Sequence, residues 1–394
     1  MNGHPYPARV AAWRTPLKAV AAIGGAILLG GLWLAPGRAW PDLLLGSFAM
    51  VCLGLSGIFF VALQYASGAV WSIPLRRVGE ALSAALPFGA VGILAVFVFR
   101  PSTYPWYGHS EIATDGWASF KQAWLSYPFF IARAVVYLAA WLGFSSTIRR
   151  NSRRQDREGG IALSRKNTRL SVAFVVLFAF TFWLASTDWI MSLEPNWAST
   201  IFGIYHFSGM FLSGLATIVL FALALRAAGP LRYGVSDGQF LDLGRLIVAF
   251  STFWMYIWFS QYMLIWYANL SEETPYMLLR TSSGWGRWFV LNVLLNWALP
   301  FLLLLPRANK INPRTLATAS TIVLLGRVTD LYLMIIPPFS PASPKPAIWD
   351  FAVLAAVGGG LVLVTMRSFF ASEPLPVGDP LLPRTAPNYV RGSS

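Results

Sequence analysis

Two segments place an aspartate in strongly apolar surroundings, seven residues before a proline. They are TDWIMSLEP, from Thr187 to Pro195, and TDLYLMIIP, from Thr329 to Pro337. The acids are Asp188 and Asp330; His206 follows the first copy, and Arg327 precedes the second acid by three residues. Carboxylates and imidazoles have proton affinities that burial and neighbours tune toward neutrality, so this set suits proton transfer. A charged side chain at mid-membrane costs about 2.5–3.5 kcal/mol on insertion scales, so such residues face a protein interior and mark functional paths. A packing account stands beside each. Arg327 and Asp330 have the i,i+3 spacing of an ion pair on one helix. Asp188 suits a cap or a hydrogen bond to the hydroxyls around the Glu194-Pro195 turn, and His206 suits a satisfied core position.

Further polar residues fall at helical spacing in apolar stretches. Arg133 and Tyr137 share a face at i,i+4, as do Asn292 and Asn296, and Gln64, Gln261 and Tyr262 are further candidates for a polar interior. For Gln64, Asn292 and Asn296 the reading is hydrogen bonding between packed helices.

The elements that must position these residues are membrane helices. Only 12% of the 394 residues are charged and 56% are hydrophobic, and the mean hydropathy is +0.57; soluble domains carry about 25% charged residues. The 18 Trp, 14 Tyr and 28 Phe suit aromatic belts at membrane interfaces. Apolar runs of about 20 residues predict ten spans: 16–35, 43–68, 81–99, 123–145, 170–192, 199–225, 245–269, 286–306, 315–336 and 348–369. The sequence predicts an all-α polytopic membrane protein. The first apolar run follows Arg9, Arg14 and Lys18 without a small-residue cleavage site, so a retained helix is expected.

Net charge is +14, and 22 of the 30 basic residues fall on one side of the predicted topology. The strongest element is the predicted loop RRNSRRQDREGGIALSRKNTR, an anchor touching anionic lipid. The bias places both termini in the cytoplasm and explains the charge without nucleic acid. The tail after 371, rich in Pro and Gly, is expected to be disordered. A single cysteine, Cys52, excludes an internal disulfide and an iron–sulfur cluster held by this chain alone. Of His4, His109 and His206 only the last lies in a predicted span, so a bis-histidine transmembrane haem is excluded. No zinc spacing or nucleotide-binding loop is present.

The two Thr-Asp segments end spans five and nine, four spans apart and of equal orientation, which predicts a parallel repeat of four-helix units. FFIAR in span four (Phe129 to Arg133) matches WFVLN in span eight (Trp288 to Asn292), and a Gly-Ile-aromatic triplet recurs at Gly57 and Gly203. The implied bundles are spans 2–5, within 43–192, and spans 6–9, within 199–336, with two flanking helices. At 1.5 Å per residue, Asp188 lies about one turn, and His206 and Asp330 about two turns, below the outer ends of their spans.

STDWIMSLEPNWASTIFGIYHFSG (186–209), FSQYMLIWYANLSEETPYMLLR (259–280) and GRVTDLYLMIIPP (326–338) resemble the NrfD/polysulfide-reductase membrane-subunit family. They are closer still to the two homologous membrane subunits of alternative complex III, a bacterial quinol:electron-acceptor oxidoreductase. In length the chain is similar to the shorter of the two. The resemblance implies two four-helix bundles, an inner-membrane location, and quinol oxidation near the outer face. It implies an iron–sulfur subunit, haem c subunits and the homologous membrane subunit as partners, with quinone and lipid as ligands. It carries Asp188, His206 and Asp330 over as the catalytic set; Arg133, Tyr137, Tyr205, Gln261, Tyr262 and Arg327 are the sequence's own candidates for quinone-binding or proton-path residues. It implies no haem, iron–sulfur ligand or covalent cofactor in this chain. Alternatives stay open: a proton-conducting or transporter-like subunit, and a purely structural anchor for redox subunits.

Overall fold

The computed structural model describes residues 8–108, 118–282 and 284–386; His4 and His109 lie outside them. The described residues form helices and connecting turns with no strand among them. Ten helices are long and apolar enough to cross a membrane: α1 (Ala8–Leu34), α2 (Pro36–Ser67), α3 (Ile73–Phe99), α4 (Tyr127–Glu158), α5 (Ala162–Trp189), α6 (Phe202–Ala228), α7 (Asp237–Ala268), α8 (Trp285–Leu304), α9 (Pro313–Ile335) and α10 (Ile348–Phe369). An apolar helix satisfies its backbone polar groups within itself, as a chain in hydrocarbon must. Large apolar side chains, among them Trp13, Trp33, Val91, Phe99, Phe180 and Phe351, stay exposed around the outside. That surface suits lipid rather than water, and the chain is a multi-pass membrane protein.

The expected two-bundle arrangement is present. In the first bundle α2 packs on α3 and α5, and α4 packs on α3 and α5; in the second, α6 packs on α7 and α9, and α8 packs on α7 and α9. The same closed ring of contacts therefore occurs twice. The bundles meet where α6 packs on α2 and α5, while α1 and α10 pair with each other and lean on α2 and, through α10, α3. α2 and α6 are the central helices, with 89% and 83% of their most apolar stretches buried. Alternating helix directions gather the start of α1 and the ends of α6 and α10 at one end, where Val10, Trp13, Ala228 and Met366 line one cavity. This end carries the Arg-rich segments and is called the basic end; the opposite one is the distal end.

Three expectations need correction. The predicted loop 146–169 is mostly helix: α4 runs to Glu158, α5 starts at Ala162, and the turn is made at Gly159 and Gly160 with φ of +66° and +78°. Apolar patterning stops at the membrane edge, but these helix formers continue, because their charges find partners. Arg77 donates to Glu80 at 2.6 Å, to Ser152 at 3.1 Å and to Asp156. Secondly, Gly203 is the second residue of α6 whereas Gly57 lies in the final third of α2, so those glycines are not equivalent. Thirdly, the first part of the tail, 371–386, is packed rather than disordered: Leu375 and Leu382 are buried, and Asp379 accepts from Arg76 at 2.7 Å. Arg76 in turn lies over the Tyr65 ring, 4.4 Å from its centre. Composition hid this, because a few buried anchors suffice to hold a segment rich in Pro and Gly. Residues 387–394 of the expected tail lie outside the described residues.

Breaking a buried ion pair from one side strands the other charge, at a cost of about 3–5 kcal/mol. Asp379→Ala is therefore expected to lower the thermal unfolding midpoint of the purified protein in detergent well below that of wild type. An unchanged midpoint would mean that the tail contact contributes nothing.

Candidate functional site

Each repeated acid sits in the last turns of its helix toward the distal end, and each gathers the same three kinds of donor. Asp188, 1% exposed, receives a two-pronged contact from Arg133 on α4: Nε to Oδ2 at 2.9 Å and Nη2 to Oδ1 at 3.0 Å. The indole N–H of Trp124, in the short helix Ala118–Trp124 that leads into α4, donates to Oδ1 at 2.8 Å. The Tyr137 hydroxyl reaches Oδ2 at 3.4 Å. Arg133 spends its remaining donor on the Trp124 carbonyl at 2.8 Å and lies over the Trp124 and Phe129 rings, 4.0 and 4.4 Å from their centres. A guanidinium fork matched to both carboxylate oxygens is the strongest arrangement of this pair.

Asp330, fully buried, draws donors from every helix of the second bundle. Arg327, one turn earlier on α9, donates to Oδ2 at 2.6 Å. Trp254 of α7 donates to Oδ2 at 3.3 Å, Asn292 of α8 to Oδ1 at 3.1 Å, and the Tyr205 hydroxyl of α6 to Oδ1. The expected i,i+3 ion pair is thus present, but it is one contact of four. Asn292 was read as helix-packing glue; it binds the acid directly. Asn296 supports it, donating to the Asn292 side-chain oxygen at 2.7 Å. Asn296 lies in a π-helical turn, Leu294–Ala298. Pro300 cannot supply an amide hydrogen to the carbonyl four residues back, and a π-bulge reshapes the helix there. α9 reaches this turn because Gly326 has no side chain: a Cβ there would stand 2.9 Å from the Asn296 amide.

His206, although it follows Asp188 closely in the chain, belongs to the Asp330 centre. Its Nδ1 lies 3.4 Å from Arg327 Nη2. A guanidinium only donates, so the imidazole accepts at Nδ1, carries its hydrogen on Nε2, and is neutral. Nε2 is buried without a hydrogen-bond partner among the described residues. Phe48 packs against His206 on one side (ring centres 5.2 Å apart) and against Trp189 on the other (6.3 Å), placing apolar rings between the two centres. The helix starts at Phe202, so His206 lies one turn in, not two.

A cavity adjoins the Asp330 centre, lined by Tyr205, Gln261, Tyr276, Arg280, Phe289 and Asn292 among others, with about 30 Å³ of solvent-sized space. A water needs roughly 10–15 Å³ by this measure, so the cavity takes water and not a ring. Arg280 closes its distal side: it donates to the Leu333 and Met334 carbonyls at 2.8 and 3.2 Å, capping the end of α9, and to Glu194 at 2.5 Å. The Tyr276 phenol is pushed up by burial, partly opposed by Arg280, and stays protonated at neutral pH. Gln261 also faces a groove of about 400 Å³ lined by Trp183, Thr187, Met191, Ser199, Leu264 and Glu273. Through Trp183 this groove meets an apolar one of about 340 Å³ between α5 and α6. Tyr262 joins neither centre; it stacks on Trp258 and Phe289.

Against known proteins, the chain matches no family model and no curated protein. The residues themselves carry the functional argument. Trp124 and Trp254 were not expected as donors, since tryptophans in an aromatic-rich membrane chain carry no distinguishing signal. Arg38, Asp42 and Asp350, discussed below, were also missed, although the i,i+4 spacing of Arg38 and Asp42 is visible in the sequence.

If Asp188 serves chiefly to pair with Arg133, replacing both by apolar residues should be tolerated where replacing one is not. Arg133→Met is expected to destabilise the protein by about 3–5 kcal/mol, and adding Asp188→Leu to recover most of that loss in the unfolding midpoint. Equal destabilisation by the single and double variants would rule the pairing out as the main contribution.

Proposed function

We propose that the chain is a proton-handling membrane subunit of a quinol:electron-acceptor oxidoreductase of the alternative complex III type, in which Asp330 takes up a proton released by quinol. The supporting observation is Gln261, which forms part of both the 400 Å³ groove and the small cavity leading to Tyr205 and Asn292. Ligand sites commonly measure about 300–1,000 Å³, so the groove has room for a hydroquinone ring, and its apolar continuation past Trp183 suits an isoprenoid tail.

Oxidation of a hydroquinone to the quinone releases two electrons and two protons. In this reading the electrons leave for iron–sulfur and haem c groups on partner subunits. Gln261 orients the ring hydroxyl toward water in the cavity. Tyr205 passes its hydroxyl proton to Asp330 and recovers one from that water. Arg327 balances Asp330 while it is charged. Asp188, closed on both oxygens by Arg133, holds the first bundle together and does not exchange protons. The distal end then faces the outside of a bacterial inner membrane, with both termini in the cytoplasm.

General acid–base groups contribute about 10²–10⁴-fold to rate. In the complex purified from native membranes, Tyr205→Phe keeps the ring packing and is expected to slow quinol-dependent acceptor reduction about 100-fold with little change in KM. Asp330→Asn is expected to do at least as much. Wild-type turnover in both variants, with the complex assembled, would overturn the assignment.

A further inference from the structure

Near the distal ends of α2, α9 and α10, two carboxylates share one guanidinium. Arg38 Nη2 donates to Asp350 Oδ1 at 2.6 Å and to the Tyr332 hydroxyl at 2.7 Å, and its Nε stands 3.6 Å from Asp42 Oδ2. The other oxygen of Asp350 accepts from the Ala347 backbone N–H at 2.6 Å, so both of its oxygens have donors. Asp42 differs. It is 1% exposed, and neither of its oxygens receives a hydrogen bond from a donor among the described residues. Its Oδ2 instead meets the same guanidinium that holds Asp350.

Two acids gathered on one guanidinium disfavour each other's charge, and burial without a donor disfavours the charge on Asp42 further. The groups facing Asp42 are Arg38 on its own helix, Tyr332 from α9 and Asp350 from α10. They supply one positive charge for two acids, so one further positive charge is required. A metal ion is disfavoured, because the guanidinium already occupies the space beside both carboxylates and would repel it. We propose that Asp42 and Asp350 form a proton-binding site around Arg38, separate from the Asp188 and Asp330 centres, in which Asp42 carries the proton at neutral pH. The side chains of Arg38 and Asp350 are 16% and 10% exposed, which gives the proton a path to the distal aqueous phase.

The site does not depend on quinol chemistry, and its test reads the carboxyl groups directly. Infrared spectra of the full-length protein in lipid nanodiscs, recorded in light and heavy water, show a protonated carboxyl by its isotope-sensitive C=O stretch. Wild type at neutral pH is expected to show this band, and Asp188→Asn and Asp330→Asn are expected to retain it. Asp42→Asn is expected to lose it. So is Asp350→Asn, because a single remaining carboxylate opposite Arg38 ionises. That variant keeps the side-chain shape at Asp350, so the test stands even if Asp42→Asn fails to fold. Absence of the band in wild type would overturn the proposal. So would its survival in Asp350→Asn, which would make Asp42 a buried neutral acid that shares nothing.

Discussion

A carboxylate inside a bundle of apolar helices needs donors in place of the water it has lost. The desolvation cost is several kcal/mol per ion, and a single cation rarely offsets it without further hydrogen bonds. Asp188 and Asp330 meet this requirement with the same inventory of one guanidinium, one indole N–H and one phenolic O–H. The requirement reaches beyond the sites. It holds α4 and its lead-in helix against α5, and it ties α9 to α6, α7 and α8. It also explains small residues on facing helices, since the Arg327 guanidinium occupies the space that a side chain at position 209 would fill.

The duplicated bundles satisfy one constraint in two ways, and the difference separates their roles. Arg133 and Asn292 hold matching places in the FFIAR and WFVLN segments, and both bind the acid of the following helix. In the first bundle that partner is the cation itself, and its fork closes both oxygens of Asp188. In the second it is an amide, and the cation has moved to α9, one turn from its acid. Arg327 touches one oxygen of Asp330, leaving the other to Tyr205 and Asn292, the two residues that also line the cavity. Asp330 therefore borders, through Tyr205 and Asn292, a cavity large enough for water, whereas Arg133 holds both oxygens of Asp188.

Much of this was legible in the sequence, because helix number, the two bundles and the repeated acids follow from hydropathy and from a local motif. The pairing of Arg133 with Tyr137 on one face, and of Arg327 with Asp330, came from i,i+4 and i,i+3 spacing alone. What failed required knowledge of helix rotation and depth. His206 is close to Asp188 in the chain, but it points to Arg327 within the second bundle. Tyr262 is adjacent to Gln261, yet one lines the cavity and the other stacks among aromatic rings. The tail beyond α10 illustrates a different limit, since its order depends on Asp379 meeting Arg76, some 300 residues earlier, which composition cannot report.

The ratio of guanidinium to carboxylate, more than the number of acids, decides where such a protein can bind protons. At the basic end Arg77 faces Glu80 and Asp156, Arg76 faces Asp379, and Arg149 and Arg153 stand close by in surplus. Acids outnumbered in this way hold helix ends and the tail in place. Toward the distal end the ratio reverses at Arg38, which alone must balance Asp42 and Asp350, and Asp330 shares its single cation with three neutral donors. The acids that share a cation thus lie in the distal half. The same imbalance of Arg and Lys that suggests an orientation from sequence also gives the molecule one end where guanidinium is in surplus and another where it is not.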